Sequence, residues 1–501
     1  MNFNLIVAVD EKFGIGKGND LPWHIKSEMS YFNKVTTNDG KDNGENERNV
    51  VIMGRNTWDS IPDKYKPLPD RYNIVITSNY FNNNLKYQEQ KDNLMFCDSL
   101  NNSLEFVESN KDSKYLNEVY IIGGSRLYLE AINHDRLERV YLTKICRDYE
   151  CDNKFMNKKD FNQRMESFTL DSVSSFDLQH DSKNDIDIYL RYYVYTNNNK
   201  SINNDKKQFV NKEEYQYLNI MRDILDNGIE RGDRTGTGTI SNFGERQRYN
   251  LRETFPMLTT RRQFFKGIFE EFMFYLRGQT DNNILVEKGV NIWEGNTSRE
   301  FLDSRGLNEY LEGDMGATYG FNFRHYGTEY EGCQYDYLNL GIDQLSECID
   351  QIKNNPTSRR IIINLWNPMA NRKAALPSCL CWYQFYVNTI KKELNLQIYI
   401  RSSDYFLANN WNTCTGALFV HLICGLEDID LTPGILTVIS GDTHIYLNHA
   451  DQAKENLDRI PRPFPKLVVK NTKKSIEDFE LSDIEILDYN PYPSIKAQMA
   501  V

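Results

Sequence analysis

The run from Thr196 to Asn211 holds six asparagines and little apolar content, and it separates two longer stretches that each carry their own strand and helix patterning. A hydrophobic core is not expected to cross such a segment, and 501 residues are more than one core usually organises. The chain therefore reads as two units, residues 1–195 and 213–501, joined by a polar linker over 196–212.

Composition narrows the class of both units. A hydrophobic fraction of 40% with 13% aromatic residues is that of a soluble globular protein. A formal net charge of -12 argues against nucleic acid or an anionic membrane as the main partner, since both reward a basic face. The stretch from Met1 to Asp10 is too short for a signal core, lacks a positive flank, and reads as a first strand. No run approaches the ~18 apolar residues of a membrane span. Nine cysteines without a Cys-x-x-Cys pair fit a reducing, cytoplasmic setting better than a disulfide framework, and no metal site is expected.

From Leu5 to Tyr195, short apolar runs alternate with amphipathic ones. Asn49–Met53, Tyr72–Thr77, Leu94–Phe96, Val119–Ile122 and Val140–Ile145 read as strands, and the helix-length segments between most of them predict an α/β domain with a mostly parallel sheet. Two polar stretches, Thr36–Arg48 and Asn79–Asn93, read as solvated insertions. Sheets of this kind bind ligands beyond the carboxyl ends of their strands.

Gly14-Ile15-Gly16-Lys17-Gly18-Asn19 has the glycines of a dinucleotide fingerprint, but Leu21-Pro22-Trp23 follows where a helix should open. A mobile glycine loop covering a site is the better reading. Glu28 comes next, with Trp23, Met29 and Phe32 spaced to line one apolar face. An isolated helix glutamate is usually solvated, yet the strand–loop–helix frame aims this one at the mouth of the sheet. Met53-Gly54-Arg55-Asn56-Thr57-Trp58 and Ile122-Gly123-Gly124-Ser125 both run from strand into helix. Thr57 and the first backbone amides can hold an anion there, Arg55 can meet a phosphate added to a ribose, and paired glycines permit close backbone approach.

Together with Pro67-Leu68-Pro69-Asp70-Arg71 and Tyr141-Leu142-Thr143, these segments resemble the dihydrofolate reductase family over nearly all of residues 1–195. The resemblance implies NADPH as cofactor and Glu28 as the carboxyl that contacts the pterin ring and promotes protonation at N5 while hydride reaches C6. It implies that Arg71 grips the α-carboxylate of the folate tail, where a planar guanidinium suits a carboxylate fork. Around the cofactor it places Ala8, Ile15, Gly16, Gly54, Arg55, Asn56, Thr57, Thr77, Ser78, Ile122, Gly123, Gly124, Ser125, Arg126, Leu127 and Tyr128, with a cis peptide between the two glycines. Trp23, Met29, Phe32, Ile61 and Thr143 would shape the substrate pocket. The last strand, Asp187–Arg191, departs from the family by carrying Leu190 near where an aromatic is usual.

The second unit mixes helix and strand signals in an α+β pattern. Leu218–Leu225 and Ile268–Leu276 read as helices; Arg360–Leu365, Tyr383–Val387, Leu394–Ile400 and Ile435–Ser440 read as strands. The glycine-rich run from Gly232 to Thr239 lacks the Gly-Lys-Ser/Thr ending of a P-loop, so a flexible loop bringing Arg234 to an anion is the better reading. Arg359-Arg360, alone, reads as surface charge. The segment Ala374–Val387 contains Cys379 and Cys381, and buried cysteines are usually packing residues.

Their company changes that reading. Ile292-Trp293-Glu294, Ser298–Asp303, Arg401-Ser402-Ser403-Asp404, Asn412, Gly441–His449 and the terminal Met499-Ala500-Val501 resemble the thymidylate synthase family over residues 213–501. Both halves in this order resemble the bifunctional dihydrofolate reductase–thymidylate synthases of protozoa and plants. The chemistry requires a thiolate that adds to uracil C6, because C5 becomes nucleophilic only as the resulting enolate and then attacks the methylene carbon of 5,10-methylenetetrahydrofolate. The resemblance implies Cys379 as that thiolate, with Cys381 its rival on the same face of an extended stretch. Arg234, Arg401 and Ser402 would hold the dUMP phosphate, with Arg359 and Arg360 donated by a second subunit of a homodimer formed through the C-terminal domain. Asn412 would pair with uracil, His444 and Tyr446 with the deoxyribose hydroxyl, and Asp404 with the pterin. Trp293 would line the site, and Glu271 and Tyr319 would relay protons at C4 and C5. The folate then gives up hydride and leaves as dihydrofolate, the substrate of the first unit.

Departures from the synthase family cluster near these residues: Pro-Cys-His appears as Ser378-Cys379-Leu380, Gly-x-Pro-Phe-Asn as Ala408-Asn409-Asn410-Trp411-Asn412, Gln-Trp-Arg as Asn322-Phe323-Arg324, and Ile-Ala-Ser-Tyr as Thr413-Cys414-Thr415-Gly416. They read as packing and support positions. The alternative to two working enzymes is a reductase fused to an impaired synthase-like dimerisation scaffold. A hydroxymethylase acting on dCMP is disfavoured by Asn412, and a nucleic-acid-binding role by the acidic balance.

Overall fold

The computed structural model describes residues 1–37, 47–77, 93–112, 115–200 and 208–498. Ser78, the terminal Met499-Ala500-Val501 and most of the two polar stretches in the first half lie outside the described residues. The chain divides into two compact units, Met1–Phe209 and Val210–Val501. Among the described residues no helix is long and apolar enough to cross a membrane.

The first unit is α/β. In chain order it runs β1 (Phe3–Val9), β2 (Gly14–Gly16), α1 (Lys26–Thr36), β3 (Arg48–Gly54), α2 (Arg55–Ser60), β4 (Arg71–Ile76), β5 (Leu94–Cys97), α3 (Leu100–Asn110), β6 (Leu116–Ile121), α4 (Ser125–Ile132), β7 (Leu137–Ile145), β8 (Asn153–Lys154), α5 (Lys158–Met165), β9 (Phe168–Val173), β10 (Asp177–Asp181) and β11 (Ile186–Asn197). The main sheet has the order β10-β11-β7-β1-β6-β3-β4-β5, with β9 also on β11. Strands β7 through β5 in that order are parallel, while β9, β10 and β11 pair antiparallel. Helices on both faces of a parallel sheet leave no strand face for water, which is why Val50, Val51, Ile52 and Met53 are all apolar and all at 0% exposure. Helix α4 buries Leu127, Tyr128, Ala131 and Ile132, one stripe at helical spacing.

Two expectations change. Trp23, Met29 and Phe32 do not share one face. Trp23 packs with Ile25, Ile145, Tyr149, Ile188 and Leu190, Phe32 packs against Val51, Met53 and Tyr120, and Met29 is exposed. Trp23 lies ahead of α1 and belongs to no helical face, so helical spacing does not govern it. The glycine run is partly a ribbon, because β2 pairs antiparallel with β8 and the buried Asp10 carboxylate accepts the Lys12, Gly14 and Tyr149 amides. Strand β11 pairs with β7, β9 and β10, and its Leu190, where the family usually has an aromatic, is fully buried.

The second unit is α+β and larger. It contains α6 (Lys212–Asn227), β12 (Ile229–Arg231), β13 (Thr239–Asn250), α7 (Phe265–Leu276), the short helices α8 (Asn283–Glu287), α9 (Glu294–Thr297), α10 (Arg299–Ser304) and α11 (Tyr319–Arg324), then α12 (Gln344–Asn354), β14 (Ile362–Asn364), β15 (Leu380–Asn388), β16 (Glu393–Asp404), α13 (Asn409–Cys424), β17 (Thr432–Tyr446), α14 (Ala450–Leu457), β18 (Lys466–Val469) and β19 (Ile484–Leu487). The main sheet has the order β12-β13-β17-β16-β15-β14, with β16 and β17 parallel across α13 and the other pairs antiparallel. Helices α7 and α13 are apolar on nearly every side and buried accordingly, which brings any polar residue they carry into the interior.

One buried carboxylate ties the start of this unit together. Glu214 on α6, at 0% exposure, accepts the Thr259 and Thr260 amides at 2.9 and 2.8 Å and their hydroxyls at 2.6 and 2.8 Å. Burial pushes its pKa up to about 7 against the pull of these donors. Glu214→Ala leaves four donors without their acceptor and is expected to destabilise the unit by roughly 3–5 kcal/mol. A thermal melt followed by circular dichroism checks this; an unchanged melting temperature would contradict it.

Candidate active sites

In the first unit the candidate site forms where strands give way to helices. Glu28 lies in the first turn of α1 and is 6% exposed. Burial alone pushes its carboxyl pKa up to about 7. Its charge also reaches Tyr31, Tyr128 and Tyr192, whose hydroxyls are raised mainly by burial and in smaller part by Glu28. Thr143 is buried and pairs with Ala8 across the β1–β7 ladder. The buried Trp23 indole N–H has no hydrogen-bond partner among the described residues.

A residue that sequence reasoning missed holds this wall. The buried Asp181 carboxylate accepts the His24 amide at 2.8 Å and the Tyr149 hydroxyl and Asn184 amide group at 2.7 Å each. It thereby fixes the segment leading into α1. An aspartate at the end of a strand carries no sequence signal for this role, because His24 and Tyr149 lie far away in the chain.

The fit to a polyanionic cofactor rests on two adjacent strand ends. β3 and β6 are neighbours, and α2 and α4 start directly after them with Gly54 and Gly124 as uncapped N-terminal residues. The Gly54 N–H donates to the Gly123 carbonyl at 2.7 Å, and the Gly123–Gly124 peptide is cis. A Cβ on Gly123 or Gly124 would come within 3.2 or 3.1 Å of the Thr57 hydroxyl, so the glycines leave space that a side chain would fill. Free amides and the exposed Arg126 and half-exposed Arg55 suit phosphates. Leu127 and Tyr128 do not extend this surface by their side chains: both are buried, and the Tyr128 hydroxyl donates to the Ile6 carbonyl at 2.8 Å. Arg71 is 3% exposed and is aimed by bonds from its Nε to the Pro69 carbonyl at 2.9 Å and from Nη1 to the Thr36 hydroxyl at 2.8 Å. Ile61 ends α2 and packs beside Phe32.

The cysteine site lies at the start of β15. Cys379 is partly buried, and Arg401 of β16 places Nη2 3.9 Å from its sulfur. That guanidinium is itself fixed by the Ser378 and Pro377 carbonyls at 3.0 and 2.9 Å. Burial pushes the thiol pKa up, and the Arg401 and Arg234 charges oppose it. The Tyr319 hydroxyl accepts the Cys379 amide at 2.8 Å. Pairing is irregular between Leu380 and Trp382, which breaks the alternation expected to put Cys381 on the same face. The Cys381 sulfur is buried and turns back to the Ser378 and Cys379 carbonyls at 3.5 Å each.

Other expected residues converge here. The Cys379 and Arg234 charges both act on the Tyr446 hydroxyl, which burial pushes up to about 12. His444 meets Asp442 at 2.9 Å, and burial raises the Asp404 carboxyl against the Leu407 amide, which it accepts at 3.0 Å. Ser402 neighbours Arg401 on β16, and Asn412 sits in the first turn of α13. Glu271 projects from α7 and accepts the Trp293 indole and the Tyr275 hydroxyl at 2.8 Å each and the Trp411 indole at 2.6 Å.

Arg359 and Arg360 are not brought in. Both are exposed ahead of β14, and the Phe385 amide donates to the neighbouring Ile361 carbonyl at 2.9 Å. Phe385 stands six residues along β15 from Cys379, about 20 Å of extended strand.

The altered positions are tied in by hydrogen bonds, while the buried Ser378 Oγ, Asn322 Oδ1 and Asn409 Oδ1 have no partner among the described residues. Asn410 accepts the Leu258 amide and donates to the Pro256 carbonyl, Asn409 donates to Ser403, and Asn322 donates to the Ala317 and Thr318 carbonyls. Trp411 does more than pack, since it reaches Glu271.

A buried acid in one unit with two glycine-opened helix starts, and in the other a cysteine under the charges of Arg401 and Arg234, define an enzyme with two reaction centres. The dihydrofolate reductase family model matches residues 2–194 and the thymidylate synthase family model residues 215–501. The chain is 37% identical over 520 residues to the bifunctional dihydrofolate reductase-thymidylate synthase of Zea mays, covering all of this chain and 97% of that protein. It is 37% identical over 513 residues to that of Leishmania major, with 100% and 95% covered, and 36% identical over 499 residues to that of Paramecium tetraurelia, with 100% and 99% covered. The chain belongs to the bifunctional dihydrofolate reductase–thymidylate synthase family, and it is an enzyme of both classes.

Proposed function

We propose that the second unit methylates dUMP with 5,10-methylenetetrahydrofolate through Cys379, and that the first unit reduces the dihydrofolate so formed with NADPH at a site centred on Glu28. The observation that carries this reading is the Cys379 sulfur 3.9 Å from a guanidinium that two carbonyls hold in place. Addition of the thiolate to C6 puts charge on O4 and C5, where Asn412 and the Glu271–Tyr319 pair receive it. Asn412 has both a donor and an acceptor for uracil O4 and N3–H. In the first unit burial keeps a substantial fraction of Glu28 protonated at neutral pH, and that fraction can supply its proton toward N5. NADPH, when bound, would supply hydride, and the Gly54, Gly123 and Gly124 backbone with Thr57, Arg55 and Arg126 would hold its phosphates. Nothing in the site favours the impaired-scaffold alternative.

The second unit works as a homodimer with shared arginines. Arg359 and Arg360 stand about 20 Å along the strand from their own Cys379, too far to share a phosphate with Arg234 and Arg401. Beside them lies a sheet face that α13 does not cover, with Tyr386 67% and Tyr399 37% exposed. A C2 pairing through this face carries each arginine pair to the other subunit's site. Cys379→Ser and the Arg359→Ala/Arg360→Ala double variant are each expected to be inactive in tritium release from 5-tritiated dUMP. Co-expressed, they form heterodimers with one intact site and recover roughly a quarter of wild-type release. No recovery from heterodimers of demonstrated composition would overturn arginine sharing.

A further inference from the structure

We propose that Trp411 is a positioning residue for the synthase reaction, its indole N–H fixing the Glu271 carboxylate that relays protons to the substrate. The inference rests on the reading of Glu271 given above. Three elements converge on this carboxylate. Oε1 takes the Trp293 indole and the Tyr275 hydroxyl, both at 2.8 Å, and Oε2 takes the Trp411 indole at 2.6 Å. A phenylalanine, the family pattern at this position, has no N–H to offer.

The ring has a built seat. A Cβ on Gly267 would lie 2.5 Å from Phe264 Cδ1 and 2.7 Å from the Trp411 ring atom Cη2, so the missing side chain on α7 admits both rings one turn before Glu271. The Trp411 carbonyl in turn accepts the Thr415 hydroxyl at 3.0 Å, which ties the same residue into α13. Asn412 is the next residue. One turn of α13 thus registers both the group expected to read the base and the carboxylate expected to relay its protons.

The electrostatics follow from this geometry. Burial raises the Glu271 pKa, and hydrogen bonds from Trp293, Tyr275 and Trp411 lower it. The other titratable groups facing it are Tyr275 on α7, Tyr319 on α11 and Tyr383 on β15, all with hydroxyls that burial raises and that are therefore neutral. The adjacent Glu270 is paired with Lys288 at 2.6 Å. Removing the Trp411 donor favours the protonated acid, so the acid limb of the synthase pH profile moves to higher pH.

The test is tritium release from 5-tritiated dUMP across pH by the full chain, its Trp411→Phe and Gly267→Ala variants, and Glu271→Gln, with reductase activity and dimer elution as folding controls. Trp411→Phe is expected to lower kcat about tenfold at pH 7, the worth of a hydrogen bond to a charged group, and to leave the KM for dUMP within about twofold. Its acid limb moves up, and Gly267→Ala, which pushes the ring away, moves it the same way. An unmoved limb in a folded Trp411→Phe dimer, with Glu271→Gln inactive, overturns the inference alone. Full activity in Glu271→Gln overturns the reading of Glu271 itself.

Discussion

Cys379→Ser is expected to reduce tritium release from 5-tritiated dUMP by at least about 10⁴-fold while leaving reduction of added dihydrofolate unchanged. A serine hydroxyl keeps the hydrogen-bonding geometry but ionises far less readily than a thiol, and Arg401 at 3.9 Å cannot close that gap. The Arg234 and Arg401 guanidiniums remain, so dUMP affinity measured by calorimetry changes little. The reductase site belongs to a separate compact unit and serves as the internal control. If Cys379→Ser kept its activity and Cys381→Ser lost it, the nucleophile would be the wrong cysteine. The structure argues against that outcome through the buried Cys381 sulfur, turned to two carbonyls.

Glu28→Gln is expected to lower the reductase turnover by roughly 10²–10⁴-fold, the usual contribution of a positioned acid. The pH profile is the sharper test. Burial raises the carboxyl pKa to about 7, so its protonated fraction is high at pH 6 and falls about tenfold per unit above 7. Wild-type turnover at saturating substrates therefore declines as pH rises through neutrality, whereas a carboxyl at its ordinary pKa would already be spent by pH 6. The glutamine variant keeps a low rate without that limb. A limb of the same position in Glu28→Gln would assign it to another group and remove Glu28 as the proton source.

These tests separate what was legible in the chain from what was not. Strands β3 and β4 are legible because they are buried on both faces, and β7 because Val140, Leu142 and Ile145 mark its buried side; Gly123 and Gly124 are legible because close backbone approach tolerates little else. The spacing that grouped Trp23, Met29 and Phe32 failed because it assumed a helix where Trp23 lies outside α1 and packs against strands far along the chain. Trp411 was readable only as a departure: its identity says nothing of the Glu271 carboxylate 140 residues away. The same holds for Asp181 beneath the Trp23 segment.

By itself the sequence determined that there are two units, the α/β and α+β character of each, and which residue types each reaction needs, because apolar periodicity and motif chemistry are local properties of the chain. Only the tertiary structure decided which of those residues meet. The bulge that parts Cys379 from Cys381, the 3.9 Å approach of Arg401 and the removal of Arg359 and Arg360 from their own site all depend on strand pairing between distant segments. Pairing of that kind is set by the global packing of the sheet against α7 and α13, and no local pattern specifies it.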